Sequence, residues 1–314
     1  MTVSGAQFIP LGAGLASALL HLSLTLGSPG AFVLAYFAQL PLAATGLALG
    51  FMPAAVASAV AAIVVAIAVQ ISGTLTLFLF TSVLPVLTVI HFALQNRTGE
   101  DGTVEWYPVG RILAWLVGLG LAALAAAILY FGSIEGGLEG AIGRYLTRVL
   151  SVIGDVPPEA VADMSARTAH FFPGFAATSW IFMSAINCVI AQRLVTAAGK
   201  NLRPPPRFRA IDVPGWPAAV LVIGAILSFF GGNPGLFGTN ATIVATVPFF
   251  FIGLAVLHSI SAAWPGRPLV LSGLYLLLVL LLWPAAIVAM LGLAEKWLRL
   301  RTRAQARPTN KGNE

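Results

Sequence analysis

Apolar residues along this chain come in blocks of about twenty, separated by short runs of Gly, Pro and polar residues. A helix of twenty residues is roughly 30 Å long, which matches the hydrocarbon core of a bilayer. Only helices and closed barrels satisfy the backbone in lipid, and the blocks lack the period-2 alternation of barrel strands. The pattern therefore predicts an all-α fold, a polytopic transmembrane helical bundle.

Nine such blocks are present along the chain. They cover residues 10–26, 31–50, 53–71, 75–94, 112–131, 171–192, 217–230, 240–261 and 269–293. The seventh block is the shortest, and the run GGNPGLFGTN at residues 231–240 that follows it is typical of a turn. We predict eight or nine membrane helices within a single integral membrane domain, residues 1–297.

One long hydrophilic stretch, residues 132–167, separates the fifth and sixth blocks. Its apolar residues recur at helical spacing, with Glu139, Arg144 and Arg148 between them: Leu138, Ile142, Tyr145, Leu146, Val149 and Val152. This spacing predicts one amphipathic helix lying in the membrane interface. The run DVPPE at residues 155–159 is expected to end that helix, because proline cannot continue it.

Charge is scarce in this chain and unevenly distributed. Of the 314 residues 58% are hydrophobic and only 9% are charged, whereas soluble domains carry about 25% charged residues. Together with a mean hydropathy of +0.92, this composition excludes a water-soluble globule. The net charge of +6 is concentrated in a basic loop, residues 193–212, and in a basic tail, residues 298–314.

The basic segments predict the topology, since cationic loops stay on the cytoplasmic side. Loop and tail are both expected in the cytoplasm, and the amphipathic segment outside. Two segments on one side must be separated by an even number of crossings, whereas three blocks lie between them. Either the seventh block is re-entrant, or the ninth folds back at Pro284, and the sequence leaves both alternatives open.

Three arginines of the basic loop, Arg203, Arg207 and Arg209, are candidates for contact outside the bundle. We expect them to lie against anionic lipid headgroups. Contact with a protein partner is the alternative. Nucleic-acid binding is disfavoured, because no interleaving of basic and aromatic residues accompanies the charge.

Small residues at four-residue spacing mark the first block, where Gly12 pairs with Ala16 and Gly14 with Ala18. Such pairs let two helix backbones approach closely in membranes. The expected contact is within the protein's own bundle. The alternative is a separate membrane coupling subunit.

Uncharged polar residues are the candidates for function inside the spans. They are His21, Gln39, Gln70, His91, Asn187, Gln192, Asn240 and His258. Charged side chains are absent from mid-span positions, which disfavours a proton-coupled carrier. We select Asn187, Gln192 and His258 as candidates for lining a small-solute site; the alternative is interhelical hydrogen bonds, worth about 0.6–2 kcal/mol in membranes. Asn240 follows the Gly/Pro-rich run and is interpreted as a helix cap.

Signals of catalysis are missing from the sequence. No metal-binding spacing, nucleophile–base arrangement or phosphate-binding glycine loop is present, so we expect no enzyme activity, no metal and no cofactor. Cys188 is the single cysteine and lies inside a predicted span, where it is expected to pack as a small residue.

The second half of the chain carries the pattern of a known family. The residues are Pro173-Gly174, Asn187, Gln192-Arg193, Asn240, FFFIGLAVLHSI at residues 249–260 and LGLAEKWLRLR at residues 291–301. In this order they resemble the YybS-like family of bacterial inner-membrane proteins, whose function is uncharacterised. The tail departs from that pattern at Glu295, where the family usually has an Asp.

This resemblance implies a distant kinship with the substrate-binding subunits of energy-coupling-factor vitamin importers. Such a kinship implies a bundle that captures a small solute, and a first helix that docks on a coupling subunit. We therefore expect a transport-class protein of the bacterial inner membrane, a solute-binding or permease-like subunit without its own ATPase. The alternative is a non-transporting membrane scaffold or regulatory partner protein. The resemblance implies no particular ligand.

Overall fold

A computed structural model describes residues 8–69, 72–153, 157–281 and 283–305. Three sequence predictions involve residues outside these ranges. They are the end of the third block with Gln70, the start of the helix-ending run at Asp155, and the last part of the basic tail, residues 306–314.

The described chain is almost entirely helical. Its first half contains α1 (Ile9–Leu22), α2 (Pro29–Tyr36), α3 (Gln39–Leu49), α4 (Phe51–Ala68), α5 (Ser72–Phe78), a π turn (Leu79–Val83), α6 (Leu84–Ala93) and α7 (Val109–Phe131). Its second half contains α8 (Gly137–Ile153), α9 (Pro158–Ala197), α10 (Trp216–Leu227), α11 (Gly232–Ile260), α12 (Arg267–Leu280), α13 (Trp283–Leu298) and α14 (Leu300–Gln305). Between α6 and α7, where a loop is predicted, β1 (Asn96–Thr98) and β2 (Val104–Trp106) form a small antiparallel hairpin.

Seven helical stretches of the described residues are long and apolar enough to cross a membrane. They are Ile9–Leu26, Pro29–Leu49, Phe51–Ala68, Gly73–Ala93, Val109–Phe131, Pro158–Ala197 and Gly232–Ile260. Two shorter apolar helices, α10 and α12, follow the basic loop. The prediction of an all-α membrane bundle is confirmed, and the amphipathic pattern of the hydrophilic stretch corresponds to α8.

One predicted boundary is wrong. The sixth block was expected to begin near Phe171, after an external segment that extends to residue 167. Instead α9 runs without interruption for 40 residues from Pro158, a length of about 60 Å and twice a hydrocarbon core. The DVPPE run lies after the last residue of α8, Ile153, as predicted, and Pro158 also begins α9, because proline is tolerated at the first position of a helix.

The chain groups into two compact units, each made of two stretches of sequence. Unit 1 contains Met1–Leu119 and Ser179–Pro206, and unit 2 contains Gly120–Thr178 and Arg207–Glu314. Each of the helices α7 and α9 has one end in unit 1 and the other end in unit 2. The sequence predicts one integral domain over residues 1–297.

Unit 1 is held together by close helix approach at glycines. A methyl group at Gly14 of α1 would lie 2.5 Å from the carbonyl oxygen of Ala57 in α4. Likewise, a methyl group at Gly46 of α3 would lie 2.6 Å from the Ile90 side chain in α6. Ala18 is fully buried beside these contacts, whereas Gly12 is exposed with open space around it and Ala16 is half-buried. The two small-residue pairs of α1 therefore lie in different environments.

Unit 2 is organised around α11, which packs against both α10 and α13. On one side Gly224 of α10 faces Gly238 and Thr242. On the other side a methyl group at Gly253 would overlap the carbonyl oxygen of Val288 in α13. Since lipid tails are as apolar as the helices, such backbone contact supplies the packing energy that the hydrophobic effect supplies in water.

The run at residues 231–240 is not a turn, which corrects the sequence prediction. From Gly232 onward it is the first part of α11. Gly231 and Gly232, the latter at φ 66°, have open space around them, whereas the two later glycines lie in close contacts. A side chain at Gly235 would overlap the Phe230 carbonyl, and one at Gly238 would lie 2.6 Å from the Gly224 carbonyl. Composition alone does not separate a glycine needed for a turn from one needed for contact.

The sequence leaves two explanations for the odd number of apolar blocks between basic loop and tail, and the structure has a feature that corresponds to each. The seventh block forms α10, whose 12 residues extend about 18 Å, less than a hydrocarbon core of roughly 30 Å. The ninth block is interrupted after Leu280, and Pro284 lies in the first turn of α13. Arg301 of the tail donates to the carbonyl oxygens of Arg209 and Ile211, so the basic loop and the basic tail are in direct contact.

We predict that Gly292→Leu destabilises unit 2, because a side chain there would overlap the Phe249 carbonyl of α11. Overpacking costs about 1–3 kcal/mol, which corresponds to a fall of about 5 °C in the thermal unfolding midpoint in detergent. The control is Gly273→Leu in α12, which has open space around it. Equal midpoints for the two variants would contradict the packing described.

Candidate functional site

A set of uncharged polar side chains joins three helices inside unit 1, and we call it the interhelical amide site. It is formed by the side chains of Gln39 of α3 and of Trp180, Ser184 and Asn187 of α9, together with the backbone carbonyl of Thr81 in the π turn. Both amides are 1% exposed. The side chains come from parts of the sequence up to about 150 residues apart, which hydropathy cannot relate.

The π turn supplies the acceptor at the centre of the site. In a π turn the backbone departs from i→i−4 pairing, which leaves carbonyl groups available to other donors. The Thr81 carbonyl oxygen accepts hydrogen bonds from Gln39 Nε2 at 2.6 Å and from Trp180 Nε1 at 3.0 Å. The wider turn therefore ties α3 and α9 to the same point of a third helix.

The two amides are linked through α9. Gln39 Nε2 also donates to Ser184 Oγ at 3.0 Å. One turn further along α9, Asn187 Nδ2 donates at 2.8 Å both to the Tyr36 carbonyl oxygen and to the Met183 carbonyl oxygen of its own helix. Each amide therefore uses its NH₂ group to join α9 to the segment around α3.

Their carbonyl oxygens remain unpaired. Gln39 Oε1 and Asn187 Oδ1 are buried and have no hydrogen-bond partner in the described part of the chain. His21 Nε2 of α1 shares this condition, and the imidazole ring lies 4.8 Å from the ring of the buried Phe78. With Ser58 Oγ of α4, the described residues of unit 1 thus hold four buried polar atoms without a hydrogen-bond partner.

Two of the predicted site residues have other partners. Gln192 Nε2 donates to Thr196 Oγ1 and to the Arg203 carbonyl oxygen, both at 3.1 Å, so it braces the start of the basic loop. His258 belongs to unit 2, where Nδ1 lies 2.8 Å from the Leu254 carbonyl oxygen and Nε2 lies 3.3 Å from the Tyr275 hydroxyl. Of the three candidates, Asn187 alone lies in the interhelical amide site.

Arg203 is placed differently from the other loop arginines. Only 6% exposed, its guanidinium donates to the carbonyl oxygens of Ala93 at 3.2 Å and Tyr107 at 2.9 Å, and lies 6.0 Å from the Trp106 ring centre. Burial lowers the pKa of the guanidinium, which stays charged. Arg203 thus faces the protein and not the headgroups or partner expected from the sequence, whereas Arg207 and Arg209 are exposed.

In unit 2 another buried amide, that of Asn240, forms hydrogen bonds with α9 next to a proline. Pro173 lies inside α9 and cannot donate a backbone hydrogen bond. The side chain of Asn240, fully buried in α11, contacts the turn at this proline: Oδ1 accepts from Gly174 N at 2.6 Å, and Nδ2 donates to the His170 carbonyl oxygen at 2.9 Å. Asn240 thus offers a hydrogen-bond partner to two backbone groups of α9 beside Pro173.

This geometry corrects the interpretation of Asn240 as a helix cap. Asn240 lies eight residues after the first residue of α11, and its amide serves a neighbouring helix. Pro173-Gly174 and Asn240 were both visible in the sequence, yet nothing in their spacing of 66 residues indicates that they meet.

Charged residues form a separate cluster in unit 2, beside a pocket of about 600 Å³. Glu295 is 6% exposed and accepts from the backbone N–H groups of Leu300 and Arg301 and from Arg301 Nε, at 2.7–3.1 Å. This carboxylate caps the first turn of α14 and neutralises Arg301. Within the described ranges, no group of three or more His, Cys, Asp or Glu residues is arranged to hold a metal ion.

These features define a polytopic helical membrane protein whose interhelical amide site is built from uncharged polar groups. The chain belongs to the family described as "Predicted membrane protein (DUF2232)", whose pattern matches residues 15–294. Membership of an uncharacterised membrane-protein family, expected from the sequence, is thereby confirmed. None of the curated proteins and none of the solved structures compared with the chain matched it.

We predict that Asn240→Leu destabilises the protein by about 1–3 kcal/mol, because the Gly174 N–H and the His170 carbonyl lose their partner next to Pro173. In a Pro173→Ala background α9 can close its own hydrogen bond, so the cost should fall. The measurement is a double-mutant cycle of unfolding midpoints. Ser259→Ala, which removes only a hydroxyl bonded to its own helix, is the control. Additive effects of the two changes would refute the link between Asn240 and Pro173.

We predict that Arg203→Lys loosens the hairpin, since an ammonium group cannot reproduce the fork that holds Ala93 and Tyr107 together. Loss of one charge-assisted hydrogen bond, about 1.5 kcal/mol, raises the open population about tenfold. Trypsin cleavage at the exposed Arg97 should accelerate by that factor. The same substitution at the exposed Arg207 should leave the rate unchanged.

Proposed function

We propose that this protein is a transport-class, solute-binding subunit of the bacterial inner membrane, and that the interhelical amide site receives the solute. The observation that carries the proposal is the pair of unpaired buried oxygens, Gln39 Oε1 and Asn187 Oδ1. An unpaired buried polar atom costs about 1–3 kcal/mol, so its retention in a membrane bundle calls for a reason. A bound solute that donates hydrogen bonds supplies one.

The chemistry of the site defines the solute class. Its side chains carry amide, hydroxyl and indole groups, and its unpaired oxygens are acceptors. A small, uncharged molecule with N–H or O–H donors on a planar or ring framework fits such a site, whereas an anion does not, because it brings no donor to the unpaired oxygens. The described conformation is closed around these atoms, so solute entry requires α3 and α9 to separate.

Two further features support a subunit that works with others. The exposed Gly12 and half-buried Ala16 form a face of α1 on which another membrane helix can pack closely. The resemblance to YybS-like proteins, and through them to vitamin-binding importer subunits, supports a non-catalytic role with a separate coupling subunit. The contact between basic loop and tail, both rich in arginine, supports a cytoplasmic C-terminus.

We expect vitamins or nucleobases with ring N–H groups to raise the thermal unfolding midpoint of the purified protein. Binding at 100 times Kd stabilises by about 2.7 kcal/mol, and this shift should be lost in Gln39→Met and Asn187→Leu. Both substitutions keep a side chain of similar length and remove the amide group together with its hydrogen bonds. Thr45→Val, which removes a buried hydroxyl bonded within α3, is the matched control and should keep the shift.

A second measurement addresses the coupling subunit. Gly12→Leu should abolish copurification of an ATP-hydrolysing membrane module while leaving the unfolding midpoint unchanged, since Gly12 has open space around it. If no solute shifts the midpoint and no such module copurifies, the transport role is refuted. Partner capture that instead depends on Arg207 and Arg209 would favour the scaffold alternative.

A further inference from the structure

A pocket of about 600 Å³ in unit 2 lies where the basic loop and the basic tail meet, and we call it the tail pocket. The segment Asp212–Gly215 lies on one side, and Lys296, Arg299 and Arg301 on the other. Phe249 of α11 contributes apolar surface. Because α10 and α13 both pack on α11, the pocket occupies the space left between their ends.

One ion pair of the tail pocket is already complete. Glu295 accepts from Arg301 Nε at 2.9 Å, and the other end of the same guanidinium donates to the Arg209 and Ile211 carbonyl oxygens. The positive charge of Arg301 is therefore neutralised by a neighbouring carboxylate and fixed in place. This neutral pair lines the pocket and adds no net charge that would attract an anion.

Two cations of the pocket lining have no partner among the described residues. Lys296 and Arg299 line the pocket, and no hydrogen bond or ion pair of their side chains occurs within the described chain. Arg299 adopts φ of 47°, a left-handed conformation that is rare for a residue with a side chain. This conformation separates α13 from α14 and brings both basic side chains to the same pocket.

The charge balance of the tail pocket is positive. Asp212 is the remaining acidic group of the lining, and its Oδ1 accepts from the Val213 backbone N–H. The Glu295–Arg301 pair contributes no net charge, so Lys296 and Arg299 outweigh Asp212. An anion with one or two negative charges, and oxygens for several donors, matches this balance.

The surroundings place the tail pocket at the level of lipid headgroups. Trp216 at the start of α10 and Trp297 near the end of α13 are 38% and 69% exposed. Tryptophan is enriched at the membrane–water interface, and basic pockets between helices there bind phosphate headgroups. The pocket therefore opens where a phosphate group is most abundant.

We propose that the tail pocket is a binding site for a phosphate group, held by Lys296 and Arg299. The phosphate belongs either to an anionic phospholipid headgroup or to a free phosphorylated solute, which share this chemistry. The inference is independent of the proposed function, because it concerns unit 2 and an anion, whereas the interhelical amide site lies in unit 1 and takes an uncharged solute.

The full-length protein is placed in nanodiscs of phosphatidylcholine, with or without 20% phosphatidylglycerol, and bound lipid is counted by native mass spectrometry. We expect retained phosphatidylglycerol, and about 30-fold weaker retention in K296Q/R299Q, or about fivefold for each cation removed. The matched control R207Q/R209Q removes the same charge from exposed loop positions outside the pocket. It should retain the lipid.

A second arm separates the two sources of phosphate. Inorganic phosphate and pyrophosphate are titrated into protein in phosphatidylcholine nanodiscs, and a rise of the unfolding midpoint that K296Q/R299Q loses would assign the site to a free solute. Equal lipid retention in both double variants would overturn the proposal, because unspecific surface charge would then explain binding. Absence of binding in both arms would overturn it as well. Unchanged midpoints of both unliganded variants confirm that folding is intact.

Discussion

In hydrocarbon no water is present to satisfy an exposed N–H or carbonyl group, so each interruption of a membrane helix needs a partner within the protein. Two interruptions of this chain are satisfied by amide side chains. At Pro173 the side chain of Asn240 bridges Gly174 and His170, and at the π turn the Thr81 carbonyl is occupied by Gln39 and Trp180. The same polar side chains thereby fix which helices lie together.

Glycine contacts act alongside these amides. Gly14, Gly46, Gly224 and Gly253 each lie against a neighbouring helix so closely that a methyl group would overlap it. Dispersion contacts of this kind hold helices together where burial of apolar surface brings no gain. Because close approach also shortens the distance across which an amide must reach, the two interactions reinforce each other.

The sequence predicts the membrane class and most spans, because apolar blocks are a local property that hydropathy measures directly. It does not predict which polar residues meet. Asn187 was recognisable as a candidate, but its partner at Tyr36 lies 151 residues away, and Gln39 was one of several comparable polar residues. Arg203 carries the same charge as Arg207, and only the fold reveals that one is buried. Glycine at residues 231–240 predicts a turn and close packing equally well.

At the edge of the bundle, charged side chains also provide partners for backbone carbonyl groups. Arg203 and Arg301 each donate to two backbone carbonyl oxygens: Arg203 joins the end of α6 to the residue after β2, and Arg301 joins the tail to the basic loop. Arg301 has its carboxylate in Glu295, whereas Arg203 relies on carbonyl dipoles and the Trp106 ring. Since these two cations are committed to structure, lipid or ligand contact falls to those left without partners, Lys296 and Arg299 among them.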